Sequence, residues 1–225
     1  MSFNKIFTII VVIGIIVAGY FYFKNNPKNM TDNKKNQEQN NTTATPTAPA
    51  DDTKKDQPAE ESVVKIPDKV LADVDVKDFG VIKLELDAKA APKTVANFVK
   101  LSKEGFYNGL KFHRIVQGFM IQGGDPKGDG TGGPGYNIPP EIGLKHTKGA
   151  IAMARTSGSA ETTPSSGSQF YITLDVQSFL DGQYTVFGQV FEGLDIVDAI
   201  VNVPRDENDK PKTPVKIIKV EIKIP

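Results

Sequence analysis

The chain patterns as an all-β barrel or sandwich, and three observations carry that prediction. From residue 72 to the end of the 225-residue chain, short segments alternate apolar and polar side chains, the period of half-buried strands. Only two segments carry a helical period. Strands and helices also fail to alternate as a parallel sheet requires. In order along the chain, DVDVKDFGVIKLELD predicts two strands around a turn near 78–80. APKTVANFVKLSKEG predicts a helix: Pro92 suits its first turn, Val95, Phe98 and Val99 form its apolar face, and Gly105 stops it. FHRIV and FMIQ predict two short strands joined at 117–118. GAIAMA, SQFYITL and TVFGQVF read as further strands and EGLDIVDAIV as a second short helix. VKIIKVEIKI alternates cleanly as a closing strand.

Two other zones precede this domain. Residues 6–23, IFTIIVVIGIIVAGYFYF, hold no charge between Lys5 and Lys24, and at ~1.5 Å per residue they cover about 27 Å, close to a ~30 Å hydrocarbon core. Tyr20 and Tyr22 stand near one end, where interfacial aromatics belong. An uncleaved anchor over 1–23 is expected, with a cleaved signal peptide as its rival. Residues 24–71 are rich in Asn, Gln, Lys, Thr, Pro and Asp and lack the apolar groups that offset chain entropy, so they predict a disordered tether. Its mean reach is on the order of 40 Å. The isomer of topology is open at this level. Lys24, Lys28, Lys34 and Lys35 outnumber Lys5, which favours a cytoplasmic domain, whereas a Thr/Pro-rich stalk after a signal anchor favours an extracytoplasmic one. Export is the expectation.

Composition excludes several function classes. Lys+Arg and Asp+Glu balance at 27 each, so no bulk charge draws the chain to nucleic acid. With no cysteine there are no disulfides or thiolate sites, and His113 and His146, the only histidines, show no metal-ligand spacing. No metal and no cofactor are expected. Gly128, Gly130 and Gly133 satisfy a G-x-G-x-x-G spacing, but Pro134, Gly135, Pro139 and Pro140 follow, where a phosphate-binding helix would have to begin. A shaped loop is the better reading. Ser168 lies in no nucleophile elbow. His113 should be buried or structural, since alternation turns it away from Arg114, and His146 should pack or hydrogen-bond in a loop.

The stretch FHRIVQGFMIQGGDP sets Arg114 in an apolar run, with Met120 and Gln122 on one face of the following strand. That is either a satisfied half-buried arginine or a small site with one charged donor. Tyr171, Phe179 and Leu180 are either core or, with Phe119 and Met120, the walls of an apolar pocket.

FHRIVQGFMIQGGDP, GTGGPGY, KHTKGAIAMAR, GSQFYITL and FLDGQYTVFGQVFEGLDIVDAI, in this order with APKTVANFVKLSKEGFYNGLKFHR ahead of them, strongly resemble the cyclophilin family of peptidyl-prolyl cis-trans isomerases. The resemblance spans nearly all of 72–225. It implies a closed eight-stranded antiparallel barrel capped by two helices, with a groove on its outside. It places the catalytic arginine on Arg114 with Gln122 beside it, and the proline pocket on Phe119, Met120, Tyr171 and Leu180. It adds Gln169 to the groove, and Ala154 and Arg155 to the subsite for the residue before proline. Phe179 stands where many eukaryotic members have tryptophan, Tyr184 where they have histidine, and Tyr171 where phenylalanine is usual. The loop TSGSAETTPSSG is a few residues longer than in compact members. Weak inhibition by cyclosporin is therefore expected. The implied partners are proline-containing polypeptides, with a membrane engaged through the N-terminal helix and a monomeric state. A Pro-peptide-binding or chaperone module with little turnover is the competing function.

Overall fold

The structure, a computed structural model, describes residues 66–160 and 162–223. The expected membrane helix at 6–23 and nearly all of the 24–71 tether lie outside these residues. No helix among the described residues is long and apolar enough to cross a membrane.

The elements run β1 (Lys69–Val76), β2 (Gly80–Asp87), α1 (Pro92–Lys103), β3 (Lys111–Phe112), β4 (Arg114–Val116), β5 (Met120–Gly123), β6 (Asn137–Ile138), β7 (Ala150–Arg155), β8 (Ser165–Thr173), a 3-10 turn (Ser178–Leu180), β9 (Val186–Glu192), α2 (Leu194–Val201) and β10 (Val215–Lys223). The strands form one antiparallel sheet in the order β3-β10-β1-β2-β9-β7-β8-β5-β4, with β6 attached to β8. Its two ends, β3 and β4, are consecutive in sequence and separated only by His113. The sheet thus curls into a nearly closed barrel.

Ten strands replace the expected eight, for a geometric reason. Residues 111–116 form one stave whose first half pairs with β10 and whose second half pairs with β5, as strand stagger in a tilted barrel requires. Counting β3 and β4 together restores eight staves, and β6 is an added two-residue ladder. The closing strand is not cleanly alternating. Val215, Ile217 and Val220 are buried, but a bulge opposite Asp75 and Val76 leaves both Ile218 and Lys219 exposed. At the other end, β1 begins at Lys69 rather than after 72, because Val70 already points into the core.

Period-2 alternation fills the interior. Val70, Ala72 and Val74 of β1 and Ile82, Leu84 and Leu86 of β2 are fully buried. Phe98 of α1 closes the layer against the rings of Tyr107, Phe170 and Phe187, with centroids 5.1, 5.8 and 5.5 Å away. Helix α1 starts at Pro92 without a side-chain cap from its own N-terminal neighbour. Glu141 supplies it from a distant loop: its carboxylate accepts the backbone N–H groups of Lys93 and Thr94 at 3.0 and 2.8 Å and the Thr94 hydroxyl at 2.8 Å. Glu104 caps the helix after Lys103, and Gly105 takes the left-handed conformation with φ 71°.

The glycine loop after β5 is shaped by Asp125. This buried carboxylate accepts the backbone N–H groups of Lys127, Asp129 and Gly130 at 2.8, 3.0 and 2.6 Å. The donors that might have cradled a phosphate are spent on an internal anion. Gly132 passes so close that a Cβ there would lie 2.0 Å from the Asp125 Oδ1.

Candidate active site

Alternation carries a second row of side chains to the outside of the barrel. In β5 Ile121 points inward, so Met120 and Gln122 point out; in β8 Phe170 and Ile172 point in, so Gln169 and Tyr171 point out. In β7 Ile151 and Met153 face the core while Ala150 and Ala152 join Met120, Tyr171, Leu180 and Val186 in a separate external cluster. Register aligns these residues. Arg114 stands opposite Gln122, Gln122 opposite Tyr171, and Tyr171 opposite Ala152. Four strands at ~4.8 Å spacing therefore carry one row across about 14 Å.

Arg114, Phe119, Met120, Gln122, Ala154, Tyr171, Leu180 and Tyr184 line one cavity of about 110 Å³. At ~30 Å³ per liquid water, that is room for a single small ring. Its walls are largely apolar, and Arg114 stands exposed beside them. The Arg114 guanidinium has no hydrogen-bond or ion-pair partner among the described residues. Of the two readings open to sequence, the satisfied arginine is thereby removed. Gln122 is held in place, its Nε2 donating to the Gln169 Oε1 at 3.0 Å, while the Gln169 Nε2 donates to the carbonyls of Gly130 and Gly132 at 3.0 and 2.8 Å. The Asp125 loop thus braces the site through two glutamines.

Three expected residues lie apart from the cavity. Gln169 stands behind Gln122 as its brace. Phe179 is 63% exposed and packs on Phe119 with centroids 5.7 Å apart, forming an outer rim rather than a wall. Arg155 turns away from the cavity: its Nε donates to the Gln183 carbonyl at 2.8 Å, and one terminal nitrogen donates to the carbonyls of Gly158 and Thr156 at 2.8 and 3.3 Å. Its guanidinium lies 4.8 Å from the Tyr184 ring centre. It lines a neighbouring polar cleft of about 430 Å³ with Gln169, Thr131, Asn137 and Ser166, sharing Ala154 with the cavity. The bond pattern of the 156–158 backbone decides this orientation, and no local sequence signal encodes it.

Both histidines are buried. His113 makes no hydrogen bond through either ring nitrogen among the described residues, and burial, opposed by Asp125 and aided by Arg114, holds its pKa below the ordinary value. It is a neutral packing group at the barrel's closing seam. His146 makes four polar contacts: its backbone N–H and Nδ1 reach the Asp181 Oδ1 at 2.8 and 3.0 Å, its Nε2 meets the Tyr171 hydroxyl at 2.9 Å, and its carbonyl accepts the Gln177 backbone N–H at 2.9 Å. Ser168 donates its hydroxyl to the Gly124 carbonyl at 2.7 Å and is fully buried, a structural role. No cluster of His, Asp and Glu suited to a metal exists among the described residues.

Comparison with known proteins agrees with the barrel fold. The family model described as cyclophilin type peptidyl-prolyl cis-trans isomerase/CLD matches residues 71–222. Peptidyl-prolyl cis-trans isomerase-like 1 of Homo sapiens is 46% identical over 145 residues, 62% of this chain and 85% of that protein. Peptidyl-prolyl cis-trans isomerase B of Bacillus subtilis is 48% identical over 128 residues, 56% of this chain and 87% of the relative. A cyclophilin type peptidyl-prolyl cis-trans isomerase of Cryptosporidium parvum superposes with a TM-score of 0.65 at 34% identity, covering 69% of this chain and 98% of that one. The same protein determined in the presence of the dipeptide Ala-Pro gives a TM-score of 0.63 at 35% identity, covering 68% and 98%.

Proposed function

The chain belongs to the cyclophilin-type peptidyl-prolyl cis-trans isomerases, and on that premise we propose that Arg114 and Gln122 catalyse rotation about X-Pro bonds held in the external cavity. The observation that carries the assignment is the unpartnered Arg114 guanidinium beside an apolar pocket of about 110 Å³. Rotation about the bond is slow because amide resonance gives a barrier of ~18–20 kcal/mol. In the twisted state the prolyl nitrogen becomes pyramidal and gains a lone pair. Arg114 can donate to that nitrogen, or hold the prolyl carbonyl oxygen, in a contact that strengthens only as the bond twists. Phe119, Met120, Tyr171 and Leu180 grip the ring, while Gln122, fixed by Gln169, orients the peptide. Reducing tens of seconds to milliseconds requires a factor of roughly 10⁴, about 5–6 kcal/mol. One charged donor with orientation is on that scale.

The substrates are proline-containing polypeptides. A determination of the Cryptosporidium parvum relative in the presence of Ala-Pro supports this class. The reading extends to the protein's setting: residues 6–23 serve as an uncleaved anchor, the polar stretch from 24 to the start of β1 as a tether, and the barrel works as a monomer outside the cytoplasm on newly exported chains. What supports this is the uncharged apolar run followed by a polar stalk.

Exchange NMR on an Ala-Pro peptide with catalytic amounts of protein tests the first part. Accelerated cis-trans exchange supports catalysis, whereas binding shifts without exchange favour a chaperone-like module. Carbonate extraction and protease treatment of spheroplasts test the second. Membrane retention with cleavage within 24–65 is expected, and a protected barrel would count against export.

A further inference from the structure

We propose that His146 is a positioning residue of the proline pocket: it draws the Tyr171 hydroxyl away from the bound ring and so sets affinity for proline rather than the rate of rotation. This rests on the pocket assignment made above.

Tyr171 presents a difficulty for an apolar pocket. It lines the cavity, it is 5% exposed, and its ring ends in a polar hydroxyl. Burial pushes the pKa of that hydroxyl far above its ordinary range, so it keeps its proton. A buried hydroxyl without a partner is costly and will turn toward any acceptor within reach. Gln122, with its amide oxygen, lines the same cavity, where the substrate must lie.

His146 removes this conflict. It does not line the cavity, yet its Nε2 lies 2.9 Å from the Tyr171 hydroxyl. The ring's protonation pattern follows from its other side. Asp181 accepts the His146 backbone N–H and Nδ1, and these two bonds hold its carboxyl below the ordinary carboxylate range. An ionised carboxylate only accepts, so Nδ1 carries the hydrogen. In the neutral imidazole Nε2 is then a bare lone pair, and Tyr171 donates to it. The order of donation is fixed from Asp181 outward, with the hydroxyl hydrogen aimed out of the cavity.

The same chain ties neighbouring walls together. Asp181 directly follows Leu180, a cavity wall, and the Gln177 backbone N–H donates to the His146 carbonyl at 2.9 Å. The loop carrying His146 thereby straps the 3-10 turn at both ends. Tyr184, another wall, meets both the His146 and Tyr171 rings edge-on at 6.3 and 5.9 Å.

The test is a double-mutant cycle in the full-length protein, with KM and kcat measured by exchange on an Ala-Pro peptide. Loss of one hydrogen bond from His146→Ala should raise KM about three- to tenfold, with kcat changing less than about twofold. In a Tyr171→Phe background, which has no hydroxyl to sequester, the same substitution should change KM less than about twofold. Equal KM increases in both backgrounds would reduce His146 to a packing role and overturn the proposal. ¹⁵N shifts of the His146 ring provide a readout that does not depend on the variants folding. A protonated Nδ1 with a bare Nε2 supports the assignment, and the reverse tautomer overturns it. A parent protein that binds the peptide without accelerating exchange would instead strike at the catalytic reading, leaving the KM comparison to be read as Kd.

Discussion

Arg114→Ala separates stability from catalysis. The side chain is exposed and has no hydrogen-bond or ion-pair partner among the described residues, so its removal breaks no such bond. Surface substitutions of that kind stay within about ±0.5 kcal/mol, and the melting temperature should move by no more than about 2 °C. The catalytic loss is of another size. Removing one transition-state donor costs about 3–4 kcal/mol, or 10²–10³ in rate. The loss should fall on kcat, because the ring is gripped by Phe119, Met120, Tyr171 and Leu180 rather than by the guanidinium. Arg114→Lys should recover only part of it, since an ammonium keeps the charge but lacks the planar fork. The assay is exchange NMR on an Ala-Pro peptide, with circular dichroism to verify folding. A folded Arg114→Ala protein with kcat within about threefold of the parent would refute the role assigned to this residue.

Asp125→Asn should lower the neutral-pH stability by about 1–3 kcal/mol, since it weakens charge-assisted bonds to the glycine loop. Burial alone would raise the Asp125 pKa, but the backbone N–H groups of Lys127, Gly130, Gly128 and Gly132 outweigh it and hold the value below the ordinary one. A depressed folded pKa contributes stability above the unfolded value and loses it as pH falls through the folded one, so the gap in melting temperature should close in acid. A gap that is unchanged at low pH would contradict this. Phe98→Ala should cost about 3–5 kcal/mol, measured by urea denaturation, because three aromatic rings lose their common neighbour. A loss under about 1 kcal/mol would show that the layer collapses into the space. Cyclosporin should inhibit weakly, since the exposed Phe179 has no N–H to donate, and Phe179→Trp should tighten inhibition. Nanomolar inhibition of the parent would dismiss this explanation.

What sequence could show and what it could not follow from the range of the interactions. Met120 and Gln122 were legible as one face because alternation along a strand decides which side chains share it, whereas patterning left Tyr171 open between core and pocket and only the resemblance pointed to Ala154. The bulge at Ile218 was not legible, because it depends on how β10 meets β1. Glu141 caps α1 from 47 residues away, and His146 reaches Tyr171 and Asp181 across 25 and 35 residues. No local period reports such partners. Arg155 was placed by the resemblance in the subsite for the residue before proline; it lines the cleft next to the cavity, and its hold on the carbonyls of Thr156 and Gly158 in its own loop carries no sequence signal.

Register explains how the residues of the proposed site come to share one face. Arg114, Gln122, Tyr171 and Ala152 share one face only because β4, β5, β8 and β7 pair in a single register. A slip of one residue in β5 would send Met120 and Gln122 into the core and Ile121 into the groove. The hairpin between β4 and β5 guards against that slip: Gly118 adopts φ 71° in its turn, and the Phe119 N–H closes it on the Val116 carbonyl at 3.1 Å. Core and groove then reinforce one another. Ile115 and Ile121 lock the hairpin from inside, and Arg114 and Gln122 are brought opposite each other on the outside as a geometric consequence. The charged donor needs no ion pair to hold its strand position, which leaves its guanidinium free for a substrate.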